Sequence, residues 1–398
     1  MSGRASFSGI VVLKRGRDQR LRSGHAWVYA GEVERVEGKP APGEIVALRN
    51  SAGHFLGQGY YNPASQIIVR RLTEGDEPVD REFFRRRLAK ALSLRQTVLP
   101  GATSCRLVFG EGDGLPGLIV DRFEDCLVLQ TLTLGMDVRQ PMLSELLAEL
   151  VAPAGILSRN DAPVRRLEGL PLYQRVVYGE CPTELRIREN DLWFWVDLAG
   201  GQKTGYFFDH KLNRRALAGY VQPGARVLDP FCYTGSFAVH AAAYGAAEVW
   251  ASDISGEAVA LAERNAKANG FAEAIRCRTA NGFDLLRQAD QDGERFDLVI
   301  LDPPAFTKSK HTVEAALRGY KEINLRGLKL LGPGGILVTC SCSHHLDEAL
   351  FREVVADAAT DAHRRLRLRE WRGQSPDHPI LVGVPETQYL KCGLYEVL

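Results

Sequence analysis

Residues 338–346 read VTCSCSHHL and bring two thiols and two imidazoles together within nine residues. These side chains could bind a metal ion, pack as small buried groups, or provide a nucleophile. A zinc site needs three or four ligands that converge from separate elements. A Cys-x-Cys followed by His-His on one extended segment instead sends alternate side chains to opposite faces. The chain has no second Cys or His pair at ligand spacing, so we expect no metal here.

The two cysteines differ in their position relative to a predicted strand. Cys340 lies inside the apolar run GILVTC, where packing as a small buried side chain is expected. Cys342 follows between Ser341 and Ser343, beyond the end of the strand. In an open sheet this edge faces the ligand crevice. We therefore take Cys342 as the candidate nucleophile and Cys340 as the alternative.

The composition limits the kind of protein that surrounds this segment. With 398 residues, of which 45% are hydrophobic, the chain can build two or three domains, each with its own core. Lys and Arg (50) nearly balance Asp and Glu (49), so affinity for nucleic acid must come from local patches. We find no apolar run long enough for a membrane helix or a secretory signal, and the eight cysteines are scattered. These features predict a cytoplasmic protein with reduced thiols and no membrane partner.

The pattern along the chain divides it into three parts. Residues 1–75 alternate short apolar runs with turn residues, which predicts a small all-β pseudo-barrel. Residues 76–197 begin with an amphipathic connector helix after Asp80 and continue as a central α+β domain with two hairpins. Residues 198–398 alternate strands with helices, which predicts an α/β fold with a largely parallel sheet. The predicted strands of this last part are 226–229, 248–252, 275–279, 297–302, 335–340, 380–384 and a terminal strand within 387–398.

Polar residues follow successive strands of the predicted parallel sheet. Asp229 ends the first strand, Gly235 precedes the next helix, Asp253 follows the second strand and Asn281 the third. Ligands of such sheets bind beyond the carboxyl ends of the strands. The first turn lacks the Gly-x-Gly-x-x-Gly fingerprint of dinucleotide folds, which disfavours NAD. Any one of these residues could also be an ordinary turn or helix cap.

The fourth strand ends in LDPPAFTKSK. Pro303 and Pro304 restrict the loop that follows Asp302. Lys308 and Lys310 either contact phosphate beside a pocket or belong to a solvated loop. A thiol at the end of the next predicted strand could act as a nucleophile toward a ligand held by this loop.

The order and strand-end positions of these residues resemble the motifs of class I S-adenosylmethionine-dependent methyltransferases, which have a Rossmann-like sheet. The resemblance implies S-adenosyl-L-methionine as the cofactor. Asp302-Pro303-Pro304 also resembles the catalytic loop of methyltransferases that act on nucleobases, and Ser341-Cys342-Ser343 resembles the nucleophile motif of RNA 5-methylcytosine methyltransferases. On this resemblance, the cofactor-binding residues are Asp229, Phe231, Gly235, Asp253, Asn281 and Asp302.

The whole chain is similar to the bacterial 23S ribosomal RNA (cytosine-5) methyltransferases, with a PUA-like RNA-binding domain at residues 1–75. The motifs that carry this resemblance are GGQKTGYFFDHKLNR, LDPFCYTGSF, LDPPAF and SCS. It implies methyl transfer to carbon 5 of a cytosine through a covalent bond from Cys342 to carbon 6, with Asp302 as the second catalytic residue. The implied base pocket comprises Gln202, Lys203, Tyr206, Pro303, Pro304 and Phe306. The larger RNA family has another cysteine where this chain has Ala305.

A basic segment near the N terminus predicts contact with ribosomal RNA of the large subunit. Residues 1–75 carry 11 Lys and Arg against 6 Asp and Glu, an excess of +5 in a chain of net charge +1. Clustered cations of this kind bind phosphate. With Lys308 and Lys310, the candidate RNA-binding residues are Lys14, Arg15, Arg17, Arg20 and Arg22. Edge strands in the central region would also permit a homodimer.

Two other functions fit parts of the sequence. Asp302-Pro303-Pro304 also resembles the motif of enzymes that methylate an exocyclic amine of adenine or guanine, a reaction that needs no thiol. A non-catalytic RNA-binding factor in ribosome assembly could retain the same cofactor fold. An intact set of Asp229, Asp253, Asp302 and Cys342 argues against this last function.

Overall fold

The structure, a computed structural model, describes residues 7–306 and 312–398. Close packing groups these residues into two units. The first contains the described part of Met1–Ile187 together with Asp197–Phe208 and Pro376–Thr387. The second contains Arg188–Val196, Gln388–Leu398 and the described part of Asp209–Ser375. Each unit is thus assembled from three separate stretches of the chain.

The N-terminal part of the first unit is a six-stranded sheet, as the alternation of short apolar runs predicts. Its strand order is β2-β6-β5-β4-β1-β3, with β1 parallel to β4 and antiparallel to β3. Apolar side chains from alternate positions, such as Val11, Val46 and Val69, form its core. Its elements are β1 (Gly9–Leu13), α1 (Gln19–Arg22), β2 (Trp27–Tyr29), β3 (Val33–Gly38), β4 (Ile45–Arg49), β5 (Phe55–Tyr61) and β6 (Ile67–Thr73).

The rest of the first unit has the predicted α+β character. The connector helix begins where Asp80 accepts a hydrogen bond from the amide of Phe83, an N-cap. A five-stranded sheet of order β11-β10-β9-β8-β7 follows. Its elements are α2 (Arg81–Val98), β7 (Ser104–Phe109), β8 (Leu118–Phe123), β9 (Cys126–Thr131), α3 (Leu134–Asp137), α4 (Gln140–Val151), β10 (Gly155–Asn160) and β11 (Tyr173–Gly179).

Both predicted hairpins are present. β7 and β8 pair antiparallel on either side of a short 3-10 helix, Gly110–Asp113. The second hairpin joins β12 (Glu184–Glu189) to β13 (Leu192–Asp197). Its turn residues Asn190 and Asp191 have positive φ values of 49° and 67°, the backbone that a two-residue hairpin turn requires.

The second unit contains a seven-stranded sheet that confirms the α/β prediction. Its order is β16-β15-β14-β17-β18-β20-β19, and β20 runs antiparallel to both of its neighbours. The order reverses between β14 and β17, so a crevice opens beyond the carboxyl ends of these two strands. The strands are β14 (Arg226–Asp229), β15 (Glu248–Asp253), β16 (Ile275–Thr279), β17 (Phe296–Leu301), β18 (Leu331–Ser341), β19 (Leu366–Arg372) and β20 (Lys391–Val397).

Helices cover this sheet and complete its core. Buried apolar side chains such as Leu286, Val299 and Phe351 pack into one continuous cluster. Ser255 caps α7 as predicted, since its hydroxyl accepts a hydrogen bond from the amide of Ala258. The helices are α5 (Lys211–Ala216), α6 (Ser236–Ala243), α7 (Gly256–Ala268), α8 (Gly282–Gln291), α9 (Val313–Lys329) and α10 (Glu348–Asp361).

Within the described part of residues 198–398, one predicted strand is wrong and one strand was missed. Residues 380–384 form only an isolated bridge between Leu381 and Val384. Pro379 and Pro385 flank this apolar run and cannot donate to a ladder, which explains the failure. The missed strand is β19, whose sequence LRLREWR is strongly charged. β19 lies at the edge of the sheet, where charged side chains reach solvent.

A buried ion pair anchors α5, the helix that follows His210. Arg214 donates to both carboxylate oxygens of Glu189, at 2.6 and 2.9 Å, and both side chains are 1% exposed. A bidentate pair of this kind restricts the relative orientation of the guanidinium and the carboxylate as well as the distance between them. The pair therefore determines where α5 begins and, with it, the position of His210.

Replacing Glu189 by Ala should destabilise the protein by roughly 3–5 kcal/mol, because the buried Arg214 guanidinium would lose its carboxylate. Urea unfolding of the full chain measures this change. The matched control is Arg287→Ala, which breaks the exposed Arg287–Asp284 pair and should change the unfolding free energy by less than about 0.5 kcal/mol. Equal effects of the two substitutions would contradict the prediction.

Candidate functional site

Asp229 occupies the centre of the crevice, at the carboxyl end of β14. Its side chain is fully buried, and neither oxygen accepts a hydrogen bond within the part of the chain that the structure describes. Burial, followed by the charges of Asp302 and Asp253, raises the pKa of Asp229 well above its ordinary value, and the nearby Phe231 amide offsets this only in part. Such a carboxyl group is expected to bind a hydrogen-bond donor or a cationic ligand.

The turn after Asp229 is tightly packed and leads into α6. Gly235 has φ +79°, and a Cβ atom there would lie 2.9 Å from the Cβ of Ala262 in α7. Glycine is therefore needed both for the backbone conformation and for the close approach of α6 to α7. Phe231 packs edge to face against Phe283, with ring centroids 6.3 Å apart. The turn thus forms a defined wall of the crevice.

Asp253 and Asn281 extend the same edge of the sheet. The two oxygens of Asp253 accept hydrogen bonds from the amides of Tyr233 and Ser255, at 3.0 and 2.9 Å. An ionised carboxylate has about four acceptor positions, so Asp253 can still bind ligand hydroxyls. Asn281 is exposed and caps α8 by accepting from the amide of Phe283 at 2.9 Å. Its side-chain NH2 group stays available for a ligand.

A buried histidine, His210, is paired with Asp302 just beyond β17. The imidazole Nε2 lies 3.3 Å from a carboxylate oxygen of Asp302, and the histidine is 4% exposed. Burial alone would lower the pKa of His210, but the Asp302 carboxylate outweighs it, so the pKa is raised. Sequence reasoning missed His210 although it lies in the quoted segment GGQKTGYFFDHKLNR. His210 therefore holds the Asp302 carboxylate at the end of β17.

The loop after Asp302 presents proline and aromatic surface. Pro303 is buried and Pro304 is exposed. Phe306 packs against Tyr320 and Phe283, with ring centroids 4.6 and 5.6 Å apart. The predicted contact residues Lys308 and Lys310 lie outside the described residues.

The two candidate thiols have different environments. Cys340 is fully buried in β18 opposite Cys392 of β20, and burial raises its pKa well above the ordinary value. Cys342 follows directly after β18 and is half-buried. A thiol must ionise to act as a nucleophile, and burial in an apolar strand opposes this. Of the two cysteines, Cys342 is therefore the better placed for chemistry.

The serines on either side of Cys342 turn inward. Ser341 and Ser343 are 0% and 1% exposed, and both hydroxyls lie 3.0 Å from the hydroxyl of Tyr320. Tyr320 thus anchors the segment from within the core. Cys342 is the member of the triplet that keeps access to solvent.

His210, Asp302 and Cys340 together place possible ligand atoms within 4.8 Å of one another. A metal ion would need a neutral His210 and an ionised Cys340. In the cluster itself, burial raises the pKa of the Cys340 thiol and Asp302 raises the pKa of His210. Metal binding would therefore have to displace protons from both residues.

The predicted base-pocket residues before α5 belong to the first unit, whereas Pro303, Pro304 and Phe306 belong to the second. Gln202 and Lys203 are exposed, and Lys203 has φ +54°. The Lys203 ammonium lies 4.6 Å from the ring centroid of Phe207, a cation–π contact. Tyr206 is 3% exposed and packs against Phe208.

The basic N-terminal residues fall into two groups. Arg15 and Arg17 are exposed and have no ion pair or hydrogen bond from their side chains among the described residues. The other three are engaged within the first unit. Lys14 donates to the carbonyl of Gly31 at 2.9 Å, Arg20 lies 3.7 Å from Glu32, and Arg22 donates to Asp18 at 2.8 Å.

Two domain models and several proteins named as ribosomal RNA methyltransferases match this chain. A PUA-like domain model matches residues 11–74, and an S-adenosylmethionine-dependent methyltransferase model matches residues 173–384. The chain is 41% identical over 387 residues to ribosomal RNA large subunit methyltransferase I of Photobacterium profundum, covering 96% of this chain and 97% of that protein. It is 42% identical over 389 residues to the protein of that name from Cronobacter sakazakii, with 96% and 97% covered.

Solved structures agree on the fold. A methyltransferase from Streptococcus mutans superposes with a TM-score of 0.83 at 19% identity, covering 98% of this chain and all of that one. A methyltransferase crystallised with S-adenosylhomocysteine gives a TM-score of 0.85 at 19% identity, again covering 98% and 100%. In the described residues, no helix has the length and apolar character needed to cross a membrane.

The His210–Asp302 pair predicts a pH-dependent stability. Because Asp302 raises the pKa of His210 above the unfolded value of about 6.5, the pair contributes fully below that pH. Its contribution is lost as the pH rises through the folded-state pKa. We expect Asp302→Asn to lower the pKa of His210, and its destabilising effect to be larger at pH 6 than at pH 9. NMR titration of the His210 ring and urea unfolding measure both effects.

The control is Asp347→Asn, which removes one negative charge from the same unit and retains an oxygen to cap α10. This variant should leave the titration of His210 nearly unchanged. A His210 pKa that does not fall in Asp302→Asn would refute the pairing.

Proposed function

Because the chain belongs to the S-adenosylmethionine-dependent methyltransferases and, within them, to the ribosomal RNA large subunit methyltransferase I family, we propose that it methylates carbon 5 of a cytosine in 23S ribosomal RNA. The reaction proceeds through a covalent bond between the sulfur of Cys342 and carbon 6 of the base. Cytoplasmic location follows from this substrate, since bacterial ribosomes assemble there.

The observation that carries the proposal is the half-buried Cys342 immediately after β18. β17 and β18 are parallel neighbours, so Cys342 and Asp302 follow adjacent strand ends. The inward-turned Ser341 and Ser343 support this segment on Tyr320. A nucleophile held in this way needs little reorganisation before it attacks.

The cofactor site is supported by the unsatisfied polar atoms at the carboxyl edge of the sheet. Buried oxygens of Asp229, Thr234 and Ser252 accept or donate no hydrogen bond within the described ranges. S-adenosylmethionine has an ammonium group and ribose hydroxyls, which can donate hydrogen bonds to these oxygens. When bound, it supplies a methyl group on a positively charged sulfur. We assign its contacts to Asp229, Phe231, Gly235, Asp253, Asn281 and Asp302.

The chain's own residues account for activation of the base. The Cys342 thiolate forms a bond to carbon 6, and the electron pair of the carbon 5–carbon 6 double bond moves onto carbon 5, which can then bond a methyl carbon. A water molecule then takes the carbon 5 proton, and the electron pair of the carbon 5–hydrogen bond restores the carbon 5–carbon 6 double bond. The electron pair of the carbon 6–sulfur bond returns to Cys342, which leaves as thiolate. Asp302 accepts hydrogen bonds from the base, and His210 holds the Asp302 carboxylate in place.

RNA contact completes the proposal. The base enters a pocket bordered by Pro303, Pro304 and Phe306, because base-modifying enzymes generally extrude their target base. In this proposal residues 1–75 bind RNA and residues 198–398 carry the methyl-transfer site. Residues 76–197 form the connector helix and the central α+β domain.

The covalent step can be trapped. Ribosomal RNA substituted with 5-fluorocytidine cannot lose a proton from carbon 5, so wild-type protein with cofactor should form an adduct that survives denaturation. Cys342→Ala should form no adduct and should lose activity by a factor on the order of 10³ or more. Gel electrophoresis in denaturant and methyl incorporation into unsubstituted RNA measure the two effects.

Cys340→Ala is the matched control, two residues away in the same strand segment, and should still form the adduct. Loss of the adduct in Cys340→Ala alone would assign the nucleophile to Cys340. Normal methylation by both single variants would exclude a thiol mechanism and favour methylation of an exocyclic amine.

The N-terminal cations predict the salt dependence of binding. Replacing both Arg15 and Arg17 by Ala should weaken RNA binding and reduce the slope of log affinity against log salt by about 1 to 2, because two phosphate contacts are removed. Fluorescence anisotropy with a 23S ribosomal RNA fragment over a salt series measures the slope. Arg35→Ala is the control, since Arg35 lies in the same region but outside the candidate set and is paired with Glu34 and Glu37. An unchanged slope in the double variant would argue against these contacts.

A further inference from the structure

Lys391 is a buried lysine directly opposite the segment that carries Cys342. It begins β20 and pairs with Ser341 of β18. Its ammonium group donates to the carbonyl oxygens of Ser343 and Tyr389, each at 2.7 Å, and the residue is 5% exposed. Lysine is almost never fully buried without a charged partner. Two neutral carbonyl groups compensate a buried positive charge only in part.

The negative group that most affects Lys391 is Cys342. Burial lowers the pKa of Lys391 to about 8, and the strongest opposing influence is the Cys342 sulfur, ahead of Glu348 and Asp347. Both acidic residues are engaged elsewhere. Asp347 caps α10, and Glu348 accepts a hydrogen bond from Gln388 at 2.8 Å. The charge states of Lys391 and Cys342 are therefore coupled.

Among the described residues, the other titratable groups around the segment are acidic or engaged elsewhere. Asp302 and Cys340 are acidic groups, and the Tyr320 hydroxyl is bound to Ser341 and Ser343. His344 stacks on Tyr389, with ring centroids 5.6 Å apart, and His345 is exposed. The remaining buried cation nearby, His210, is paired with Asp302.

We propose that Lys391 is a positioning residue whose ammonium group keeps the Cys342 sulfur ionised by serving as its counter-charge. This inference rests on the proposed function, in which Cys342 is the nucleophile. When the S–H bond breaks, its electron pair stays on sulfur and the proton passes to water. Of the three N–H donors of the ammonium group, two serve Ser343 and Tyr389, and the third is left for the thiolate.

The charge of Lys391 favours the thiolate. An ordinary cysteine has a pKa of about 8.5. A neighbouring ammonium group lowers the pKa of a thiol, because it stabilises the thiolate and not the neutral thiol.

The test is the pH dependence of Cys342 alkylation by iodoacetamide in the full chain, followed by mass spectrometry of the Cys342 peptide. In wild type, the midpoint should lie below about pH 8.5. Lys391→Met should raise the midpoint by one pH unit or more, which makes alkylation at pH 7 about tenfold slower. Lys391→Arg should keep the low midpoint, because arginine retains the positive charge.

Lys321→Met is the matched control, since it removes an exposed lysine paired with Asp361 in the same unit and should leave the midpoint unchanged. Cys277, whose pKa burial raises to about 11, reports on unfolding in every variant. A wild-type midpoint at or above about 8.5 would overturn the inference even if Lys391→Met did not fold. So would identical midpoints in wild type and Lys391→Met.

Failure of this inference differs from failure of the proposed function. If Cys342→Ala abolishes methylation while Lys391→Met leaves the alkylation midpoint unchanged, the nucleophile stands and the role of Lys391 is wrong. If Lys391→Met shifts the midpoint but Cys342→Ala still methylates RNA, the ion pair stands and the covalent mechanism is wrong.

Discussion

Three carboxyl groups crowd the carboxyl edge of β14, β15 and β17, and the site depends on how their mutual repulsion is relieved. Asp253 is stabilised by two backbone amides, and Asp302 by the buried His210. Asp229 has no comparable partner within the described residues, and burial with the two neighbouring charges raises its pKa. The unfolded chain would hydrate all three groups, so folding carries a cost that a cationic ligand can offset. Cofactor binding and stability of the second unit are therefore coupled.

The same sheet separates two thiols that are only two residues apart. Cys340 lies in β18 opposite Cys392 of β20, and burial raises its pKa so that the thiol stays protonated. Cys342 lies just past Ser341, the last paired residue of β18. Tyr320 holds the intervening segment through Ser341 and Ser343. Two residues apart on an extended segment, the two thiols share one face. The difference between them therefore arises because β18 ends at Ser341, between the two thiols.

Residues at strand ends could be predicted because a parallel sheet brings its carboxyl edges together whatever the details of packing. Asp229, Asp253 and Asp302 follow from that rule. His210 and Lys391 do not, since His210 precedes β14 and Lys391 begins a strand inserted antiparallel between β18 and β19. Local sequence pattern carries no information about such insertion. The same limitation explains why the charged edge strand β19 was missed and the proline-bounded run 380–384 was taken for a strand.

The two cations found only in the structure have complementary positions. His210 lies against Asp302, at the acidic part of the crevice, and Lys391 lies against the Cys342 segment. Each is buried, so each charge acts in a medium where water screens it weakly. A buried cation is costly unless an anion or several hydrogen-bond acceptors lie nearby. If the proposed reaction is correct, part of the free energy that places positive charge beside the reacting groups is therefore supplied by folding and not by the substrate.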